Sequence, residues 1–345
     1  MAYFFKLPQI TDLTIGQQSA LNEPKAIAIS GGPGTGKSVV SLWRHIRNHS
    51  LGRKNSLLLT YAKTLETYLA SSASSENENA GKAVDRTYWW TTYNAKKYDE
   101  IIIDEAQDVE SARYETIKNY SDVVSYGADD QQSVYPSRAT TQEQLAAIFP
   151  ENKSYILDEN FRNSYEIMHF VRALFPKKLV PQSTLDNLLQ EGRRGNKPIM
   201  LISNNDGNKQ NKAIIDVINQ FKSNTHNIAI LVPLREHVNS YYRIIAAAGI
   251  KCSKFECSDA ELLTIENVHI TTFKSSKGTE FDTVIIPDFE KMLSNIAHLN
   301  VVNENDYYVA ITRARRNLYL ICTSRLVFLE TSEHQKTTYN KEILK

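Results

Sequence analysis

The chain has 345 residues, more than a single hydrophobic core usually supports, so two domains are expected. Hydrophobic residues make up 41% and charged residues 23% of the sequence, which is ordinary globular composition. The formal net charge is +1, so a surface for an anionic partner has to be a local groove and not a whole basic face.

The cysteines and the N-terminal residues exclude further classes. An odd count of three cysteines with no CxxC pair argues against a zinc site, an iron–sulfur cluster or a disulfide framework. Residues 1–10 lack the charged start and apolar run of a signal peptide. Because no apolar stretch approaches about 18 residues, no membrane span is expected, and the expected location is the cytoplasm.

Short apolar runs recur along the chain and predict buried strands of parallel sheets. One set lies at 26–29, 57–59, 101–103 and 123–124, and a second at 199–202, 228–232, 268–270, 284–286 and 318–321. Helical or polar stretches between the runs predict right-handed βαβ units, hence an α/β fold with two domains. Residues 71–82 and 182–198 are predicted to be surface loops, and residues 331–345 a polar tail.

A glycine-rich segment follows the first predicted strand and precedes a helix-like run. It consists of Gly31, Gly32, Pro33, Gly34, Thr35, Gly36, Lys37 and Ser38. This fits G-x-x-x-x-G-K-[ST], in which glycines let backbone N–H groups approach phosphate oxygens and the helix presents its positive end. Lys37 is expected to neutralise the β- and γ-phosphates of ATP, and Ser38 to ligate Mg²⁺.

Two acids end the apolar run 101–103, where a doubly wound sheet binds its ligands. Asp104 is expected to hold the magnesium, and Glu105 to orient or deprotonate the attacking water. An acidic loop that merely caps a strand is the alternative, and the phosphate loop upstream argues against it.

The phosphate loop followed by Asp104-Glu105-Ala106-Gln107-Asp108 resembles the paired motifs of superfamily 1 helicases of the UvrD/Rep type. Further matches follow in the family's order and cover most of residues 13–322. The resemblance implies two RecA-like P-loop domains with parallel sheets, at 1–160 and 161–330, with the ATP site at their interface.

The same resemblance assigns nucleotide contacts along the chain. Gln17 would read the adenine edge, and Gln132 would sense the γ-phosphate. Phe161 would stack on adenine, and Glu280 would approach the ribose. Arg162 and Arg313 would act as arginine fingers, so that hydrolysis depends on closure of the two domains.

Contacts to a single strand are implied in the same way. They are assigned to Thr60, Tyr61, Trp90, Arg138, Thr272 and Lys274. Aromatic side chains provide sequence-tolerant stacking for bases, which suits a motor that moves along a strand. Aromatic runs such as 88–90 are, however, more often buried than exposed.

The sequence departs from the family pattern in three respects. The large insertions of each motor domain are absent or vestigial, which puts unaided duplex unwinding in doubt. Ser137 stands where the family usually has a base-stacking tryptophan, and Lys274 replaces a histidine. A stacked base contributes about 1–3 kcal/mol, so strand affinity is expected to fall.

Besides a P-loop protein of another family, three hypotheses about function remain at the level of sequence. The first is a DNA-stimulated ATPase that translocates on single-stranded DNA in the 3′-to-5′ sense, unwinding with a protein partner. The second is a nucleotide-gated binding module that recruits or licenses an effector such as a nuclease, for example in antiviral defence. The third is an RNA-directed motor, since contacts to backbone and stacked bases do not exclude RNA.

Overall fold

The computed structural model describes residues 7–52, 54–135, 137–255, 265–330 and 337–345. The chain divides into two compact units between Phe161 and Arg162, one residue beyond the expected boundary. Each unit is an α/β structure around one sheet, and all pairings between the strands of the described residues are parallel. The α/β fold class with parallel sheets is thereby confirmed.

The N-terminal unit contains a six-stranded sheet in the order β3-β2-β4-β5-β1-β6. Its strands are β1 (Ile27–Gly31), β2 (Ser56–Thr60), β3 (Val84–Arg86), β4 (Glu100–Ile103), β5 (Val124–Ala128) and β6 (Lys153–Leu157). Its helices are α1 (Ile15–Asn22), α2 (Lys37–Ser50), α3 (Lys63–Glu76), α4 (Glu78–Lys82), α5 (Thr87–Trp89), α6 (Ser111–Lys118) and α7 (Gln142–Ile148).

Helices cover both faces of this sheet, which is why its central strands are apolar throughout. Leu58 and Ile102 pack on one face with residues of α2 and α3. Leu57, Leu59 and their neighbours on β4 pack on the other face with α6. The order of the strands places β4, β5 and β1 side by side, so the segments that follow them emerge together at one edge.

The C-terminal unit contains a seven-stranded sheet in the order β13-β7-β12-β11-β8-β10-β9. Its strands are β7 (Ile199–Ile202), β8 (Ile228–Val232), β9 (Ser253–Phe255), β10 (Val268–Thr272), β11 (Phe281–Pro287), β12 (Ala314–Cys322) and β13 (Asn340–Ile343). Its helices are α8 (Tyr165–Leu174), α9 (Gln182–Gln190), α10 (Gly207–Phe221), α11 (Arg235–Ala247), α12 (Met292–His298), α13 (Glu304–Thr312) and α14 (Val327–Glu330).

Two predicted loops prove to be partly helical. Residues 71–82 belong to α3 and α4, because Leu65, Leu69 and Ala73 form a buried stripe at helical spacing within a serine-rich sequence. The first half of 182–198 forms α9, which buries Leu185 and Leu188 in the core of the C-terminal unit. The small polar residues of these segments indicated loops, but the packing of a few apolar side chains stabilises them as helices.

The expectation of a polar tail is wrong for residues 337–345. Tyr339 is buried in the core, and β13 pairs with β7 along the sheet edge. Main-chain hydrogen bonds, from Asn340 N to Pro198 O (2.8 Å) and from Leu344 N to Ile202 O (2.9 Å), hold its two ends. Within the described part of the chain, no helix combines the length and apolarity needed to cross a membrane.

Candidate nucleotide and nucleic-acid sites

The phosphate-binding loop connects β1 to the amino end of α2, as predicted. Gly34 (φ 72°) and Gly36 (φ 87°) adopt left-handed backbone that other residues rarely tolerate. The Lys37 Nζ atom donates to Gly31 O (2.7 Å) and Gly32 O (2.9 Å), so it folds over the loop. An ammonium over a glycine-rich helix N-terminus is the arrangement that neutralises a polyphosphate.

Gln17 lies against this loop. Its Nε2 atom donates to Thr35 O (2.9 Å), and its Oε1 atom accepts from Thr14 N (3.0 Å). The side chain is buried, and a Cβ at Gly36 would come within 2.4 Å of the Gln17 Nε2 atom. Gln17 therefore contacts the phosphate loop directly, in addition to any contact with a base.

The predicted acids follow β4 and are buried. Glu105 has left-handed backbone (φ 58°), which turns the chain sharply after the strand. Its Oε2 atom accepts from Gln107 Nε2 (2.7 Å), and Gln107 Oε1 accepts from Asp129 N (3.1 Å). Sequence reasoning did not single out Gln107, whose spacing two residues after Glu105 is the only signal it offers.

Asp129 connects Gln132, the predicted γ-phosphate sensor, to Lys37 of the phosphate loop. Gln132 Nε2 donates to Asp129 Oδ2 (2.6 Å), and the same carboxylate lies 3.9 Å from Lys37 Nζ. The sequence assigned no role to Asp129. The structure thus brings Lys37, Glu105 and Gln132 into one network through two residues whose roles were not predicted.

Gly127 lies beside both Lys37 and Asp104, the predicted magnesium ligand. A Cβ at this position would lie 3.6 Å from both Asp104 Oδ1 and Lys37 Cβ. The carboxylate of Asp104 and the half-buried hydroxyl of Ser38, which follows Lys37, are oxygen ligands of the kind that Mg²⁺ prefers. These residues therefore fit a magnesium ion bound together with phosphate groups.

Phe161 ends the N-terminal unit, and its backbone N–H donates to Gly34 O (2.8 Å). This contact holds the predicted adenine-stacking residue at the phosphate loop. In the C-terminal unit, Arg162 Nε donates to Glu280 Oε2 (3.1 Å), so the predicted arginine finger and ribose contact are adjacent.

Arg313 is fully buried at the end of α13. Its guanidinium donates to Val309 O (3.1 Å) and Thr279 O (3.3 Å). Its backbone carbonyl accepts from Phe281 N (2.9 Å), which joins α13 to the start of β11. The second predicted arginine is therefore anchored to the same motif as Glu280.

Trp90, predicted to contact a nucleic acid, is buried. Only 1% of its surface is exposed, and its ring packs against Tyr120 in the core of the N-terminal unit. It cannot stack on a base without unfolding the segment, so this assignment is wrong. The neighbours Tyr88, Trp89 and Tyr93 are exposed by 52%, 42% and 64%. The resemblance implied a strand contact for residues 86–90 but singled out Trp90 among them.

Two arginines lie over the rings of the exposed aromatic side chains. Arg113 lies 4.5 Å from the Tyr88 ring centroid, and Arg86 lies 5.3 Å from that of Trp89. The centroids of Trp89 and Tyr93 are 5.1 Å apart. These rings and arginines form a continuous surface at the end of β3.

Tyr61 follows the neighbouring strand β2 and is also exposed. Its ring centroid lies 5.4 Å from that of Tyr135. Thr87 Oγ1 donates to Thr60 O (3.2 Å), which ties the two segments together. The Thr60 side chain itself is buried, whereas Arg138 is exposed and lies 3.7 Å from Glu110.

Lys274 and Thr272 lie at the end of β10 in the C-terminal unit. Lys274 Nζ donates to both carboxylate oxygens of Asp306, at 2.7 and 2.8 Å. Burial raises the pKa of Asp306, and the ammonium of Lys274 opposes that shift. Thr272 Oγ1 donates to Ser275 Oγ (3.0 Å), so neither residue is a simple solvated side chain.

Two α/β units with parallel sheets, and a phosphate loop and acids at the carboxyl edge of the first sheet, define a P-loop NTPase. Residues 24–204 match the family model for the Schlafen group 3 DNA/RNA helicase domain. Residues 239–325 match the model for the UvrD-like helicase C-terminal domain. Because the first match covers more than half of the chain, the chain belongs to the Schlafen group 3 DNA/RNA helicase domain family.

Two curated helicases are similar to this chain. The chain is 27% identical over 246 residues to the putative ATP-dependent DNA helicase R568 of Acanthamoeba polyphaga mimivirus, covering 65% of this chain and 34% of that protein. It is 27% identical over 139 residues to the ATP-dependent DNA helicase Rep of Buchnera aphidicola subsp. Acyrthosiphon pisum, covering 36% of this chain and 20% of Rep. The resemblance to superfamily 1 helicases of the UvrD/Rep type is confirmed.

The fold is similar to that of S. cerevisiae Dbp5 bound to RNA and ADP BeF3. The TM-score is 0.60 at 11% identity, with 96% of this chain and 90% of that chain covered. This similarity confirms the RecA-like fold. The chain spans about a third or less of the length of the curated relatives it matches.

Proposed function

We propose that the chain is an ATP-dependent nucleic-acid motor that hydrolyses ATP with Mg²⁺ and translocates on single-stranded DNA. The observation that carries the proposal is the network at the carboxyl edge of β1, β4 and β5. There Lys37, Glu105 and Gln132 are joined through Gln107 and Asp129. A phosphate-binding cation, an acid for water and a glutamine are the parts that phosphoryl transfer requires.

In this proposal each side chain has a separate task. Lys37 neutralises phosphate charge, and Glu105 orients the attacking water through its carboxylate. When bound, Mg²⁺ supplies further charge neutralisation, held by Asp104 and Ser38. Gln132, which donates to Asp129, senses the γ-phosphate.

Arg162 and Arg313 are proposed to complete the charge stabilisation from the C-terminal unit, and Phe161 to stack on the adenine ring. Hydrolysis would then depend on closure of the two units, which couples nucleotide state to motion. The family match and the anchoring of both arginines beside residues 279–281 support this assignment.

The strand is proposed to contact Tyr61 and the exposed surface of Tyr88, Trp89 and Tyr93. Exposed aromatic rings beside arginines are suited to bases and phosphates of a single strand. Arg138, Thr60, Thr272 and Lys274 are proposed as further contacts, the two threonines through their backbone. The resemblance supports 3′-to-5′ movement, with duplex unwinding in the presence of a protein partner.

The decisive experiment is steady-state ATP hydrolysis with and without single-stranded DNA, and with RNA of the same sequence. Wild-type turnover is expected to rise with DNA. Glu105→Gln should abolish turnover while retaining ATP binding, because the amide cannot accept a proton from water. Glu151→Gln is the matched control, since Glu151 is an exposed acid of the same unit.

The other outcomes decide between the remaining functions. Stronger stimulation by RNA than by DNA would replace the DNA-directed motor with an RNA-directed one. Turnover that responds to neither polymer would overturn the motor and favour a nucleotide-gated module that recruits an effector such as a nuclease. A search for a bound protein partner would then follow.

A further inference from the structure

The carboxylate of Glu110 lies between two arginines at the surface proposed to bind the strand. Its Oε1 atom is 3.7 Å from Arg138 Nη1, and its Oε2 atom is 3.9 Å from Arg113 Nε. Both distances are too long for hydrogen bonds. The Glu110 side chain is 45% exposed, so both contacts are weak ion pairs in solvent. A carboxylate therefore stands between two guanidinium groups that hold it only loosely.

Arg113 is fixed in place by contacts other than the one to Glu110. Its Nη1 atom donates to Thr91 Oγ1 (2.7 Å), and its guanidinium carbon lies 4.5 Å from the Tyr88 ring centroid. Within the part of the chain that the structure describes, its Nε and Nη2 atoms make no hydrogen bond, and Nε faces Glu110. A guanidinium edge with two N–H donors binds a pair of carboxylate or phosphate oxygens. Arg113 thus presents an anchored donor pair toward Glu110.

Arg138 supplies the second positive charge. Its side chain is 71% exposed, and its backbone N–H donates to Tyr135 O (2.9 Å). The Tyr135 ring contacts Tyr61, which is proposed to stack on a base, just as Arg113 contacts Tyr88. A strand that contacts both Tyr61 and Tyr88 would bring its phosphates to the arginines that adjoin these rings.

A strand phosphate and the Glu110 carboxylate would compete for the same donors. Both groups present two anionic oxygens to a guanidinium group. Because exposed ion pairs at nearly 4 Å are weak, a phosphate can displace the carboxylate at small cost. As long as the carboxylate stays, it screens the two arginines and repels the approaching phosphate.

We propose that Arg113 and Arg138 form a binding site for one phosphate group of the nucleic-acid backbone, and that Glu110 occupies this site in the absence of a strand. The ligand is the phosphodiester group, which DNA and RNA share. The inference rests on the proposed function only in assuming that a single strand lies on this surface. Glu110 is thereby an internal competitor that lowers the affinity for the strand.

The first test is a gain of affinity, which misfolding cannot produce. Binding of a labelled single-stranded DNA, and of an RNA of the same sequence, is measured by fluorescence anisotropy over a range of salt concentrations. Glu110→Gln removes the charge and keeps the size of the side chain. It is expected to bind both polymers about three- to fivefold more tightly, since it removes one like charge about 5 Å from the phosphate in water.

Glu115→Gln is the matched control for the lost charge. Glu115 lies on the same helix, α6, is 77% exposed and forms a comparably long ion pair with Lys118 (3.8 Å). Its removal is expected to change strand affinity less than about 1.5-fold, because no arginine of the proposed site faces it.

The second test removes the anchored arginine. Arg113→Gln is expected to weaken binding about fivefold in about 0.1 M salt and to lower the slope of log K against log salt by about 0.7, the contribution of one phosphate contact. Arg113→Lys keeps the charge, so the slope should stay as in the wild type. Arg47→Gln, which removes an arginine bonded to Asn22 in the same unit, is the control. Melting temperatures are measured for all variants.

Several results would overturn the site. Equal tightening in Glu110→Gln and Glu115→Gln would show a general effect of charge. Unchanged affinity in Glu110→Gln, or a gain confined to one polymer, would exclude competition for a backbone phosphate. A salt slope that Arg113→Gln leaves unchanged, with a lowered melting temperature, would give Arg113 a structural role alone.

The fate of the proposed function is read separately. Strand binding by the wild type without stimulation of ATP turnover would overturn the motor and leave this site standing. A stimulated wild type whose Glu110 and Arg113 variants bind the strand like the wild type would overturn the site and leave the motor standing. A wild type that binds neither polymer would overturn both.

Discussion

Gln107 links Glu105, the acid proposed to act in hydrolysis, to residues Asp129 and Thr140, the ends of the segment 129–140. Its amide donates to Glu105 and its side-chain oxygen accepts from Asp129 N, at one end of the segment. Its backbone oxygen accepts from Thr140 N (3.1 Å), at the other end. Because Tyr135 lies within this segment and contacts Tyr61, one buried residue connects the acid with the surface proposed to bind the strand.

Replacing Gln107 by alanine is expected to lower kcat for ATP about 10- to 100-fold, because a displaced catalytic carboxylate loses its alignment. The Kd for ATP should change less than about threefold, since the phosphate loop is untouched. Gln142→Ala is the control, as Gln142 donates to Ala128 O (3.3 Å) beside the same segment. Equal losses of kcat in both variants would contradict a specific role for Gln107.

The proposed role of Arg162 as an arginine finger can be tested by substitution. If it stabilises transferring phosphate charge, Arg162→Ala lowers kcat about 10³-fold, as expected for an arginine finger. Arg193→Ala removes a half-exposed ion pair with Glu191 (2.5 Å) in the same unit and should leave turnover unchanged. Single-turnover hydrolysis measures both, and near-normal turnover of Arg162→Ala would exclude the finger.

The segment 87–94 carries both a buried aromatic side chain and exposed ones. Trp90 fixes it to the core, while Tyr88, Trp89 and Tyr93 stay at the surface. The segment continues from α5 into a single π-helical stretch, Trp90–Asn94, a type of helix often found at functional sites. Buried and exposed aromatic side chains therefore alternate within a few residues.

Substitutions in this segment should separate binding from stability. Trp89→Ala is expected to weaken binding of a labelled single strand by about 1–3 kcal/mol, with melting temperature and unstimulated ATP turnover unchanged. Trp90→Ala is expected to destabilise the N-terminal unit by about 3–5 kcal/mol, as for other buried tryptophans. Fluorescence anisotropy and thermal unfolding distinguish them, and a reversed pattern would refute the assignment of the two faces.

Central strands and the phosphate loop were predictable because their signals are local. Apolar runs identify β4 and β8, and fixed glycine spacing identifies the loop at 31–38. The edge strands β6 and β13 escaped prediction because exposed positions leave no apolar run. Which of two adjacent tryptophans faces the core depends on tertiary packing, so the sequence could not separate Trp89 from Trp90.

At the scale of the whole molecule, each unit buries a histidine whose neutral form is favoured. Burial lowers the pKa of His45 to about 4 in the N-terminal unit and that of His269 to about 4 in the C-terminal unit. His45 contacts Ser56 Oγ and Ala80 O, each at 2.9 Å. His269 Nδ1 lies 2.8 Å from Ser253 Oγ.

These lowered pKa values predict that the folded state loses stability in acid. Below pH 6.5 the unfolded chain binds a proton that the folded chain takes up only near pH 4, so stability falls as the pH drops through this window. At pH 5 each histidine is expected to cost about 2 kcal/mol of unfolding free energy. Urea unfolding at pH 7.5 and pH 5 measures the loss.

The tryptophans allow the two units to be followed separately. Trp43, Trp89 and Trp90 all precede residue 161, so tryptophan fluorescence reports the N-terminal unit. His45→Gln should flatten the pH dependence of this signal, whereas His269→Gln should leave it as in the wild type. An unchanged pH dependence in His45→Gln would show that other groups are responsible.

The strand β13 also affects how the chain behaves in solution. Its four residues are exposed, so backbone pairing to β7 holds it more than apolar packing does. Without residues 337–345, the apolar strand Ile199–Ile202 would become an open edge with unpaired N–H and C=O groups, which templates association between molecules. β13 thus protects the edge of β7 against pairing with other molecules. Deletion of residues 337–345 should therefore lower solubility first, with the nucleotide site of the other unit intact.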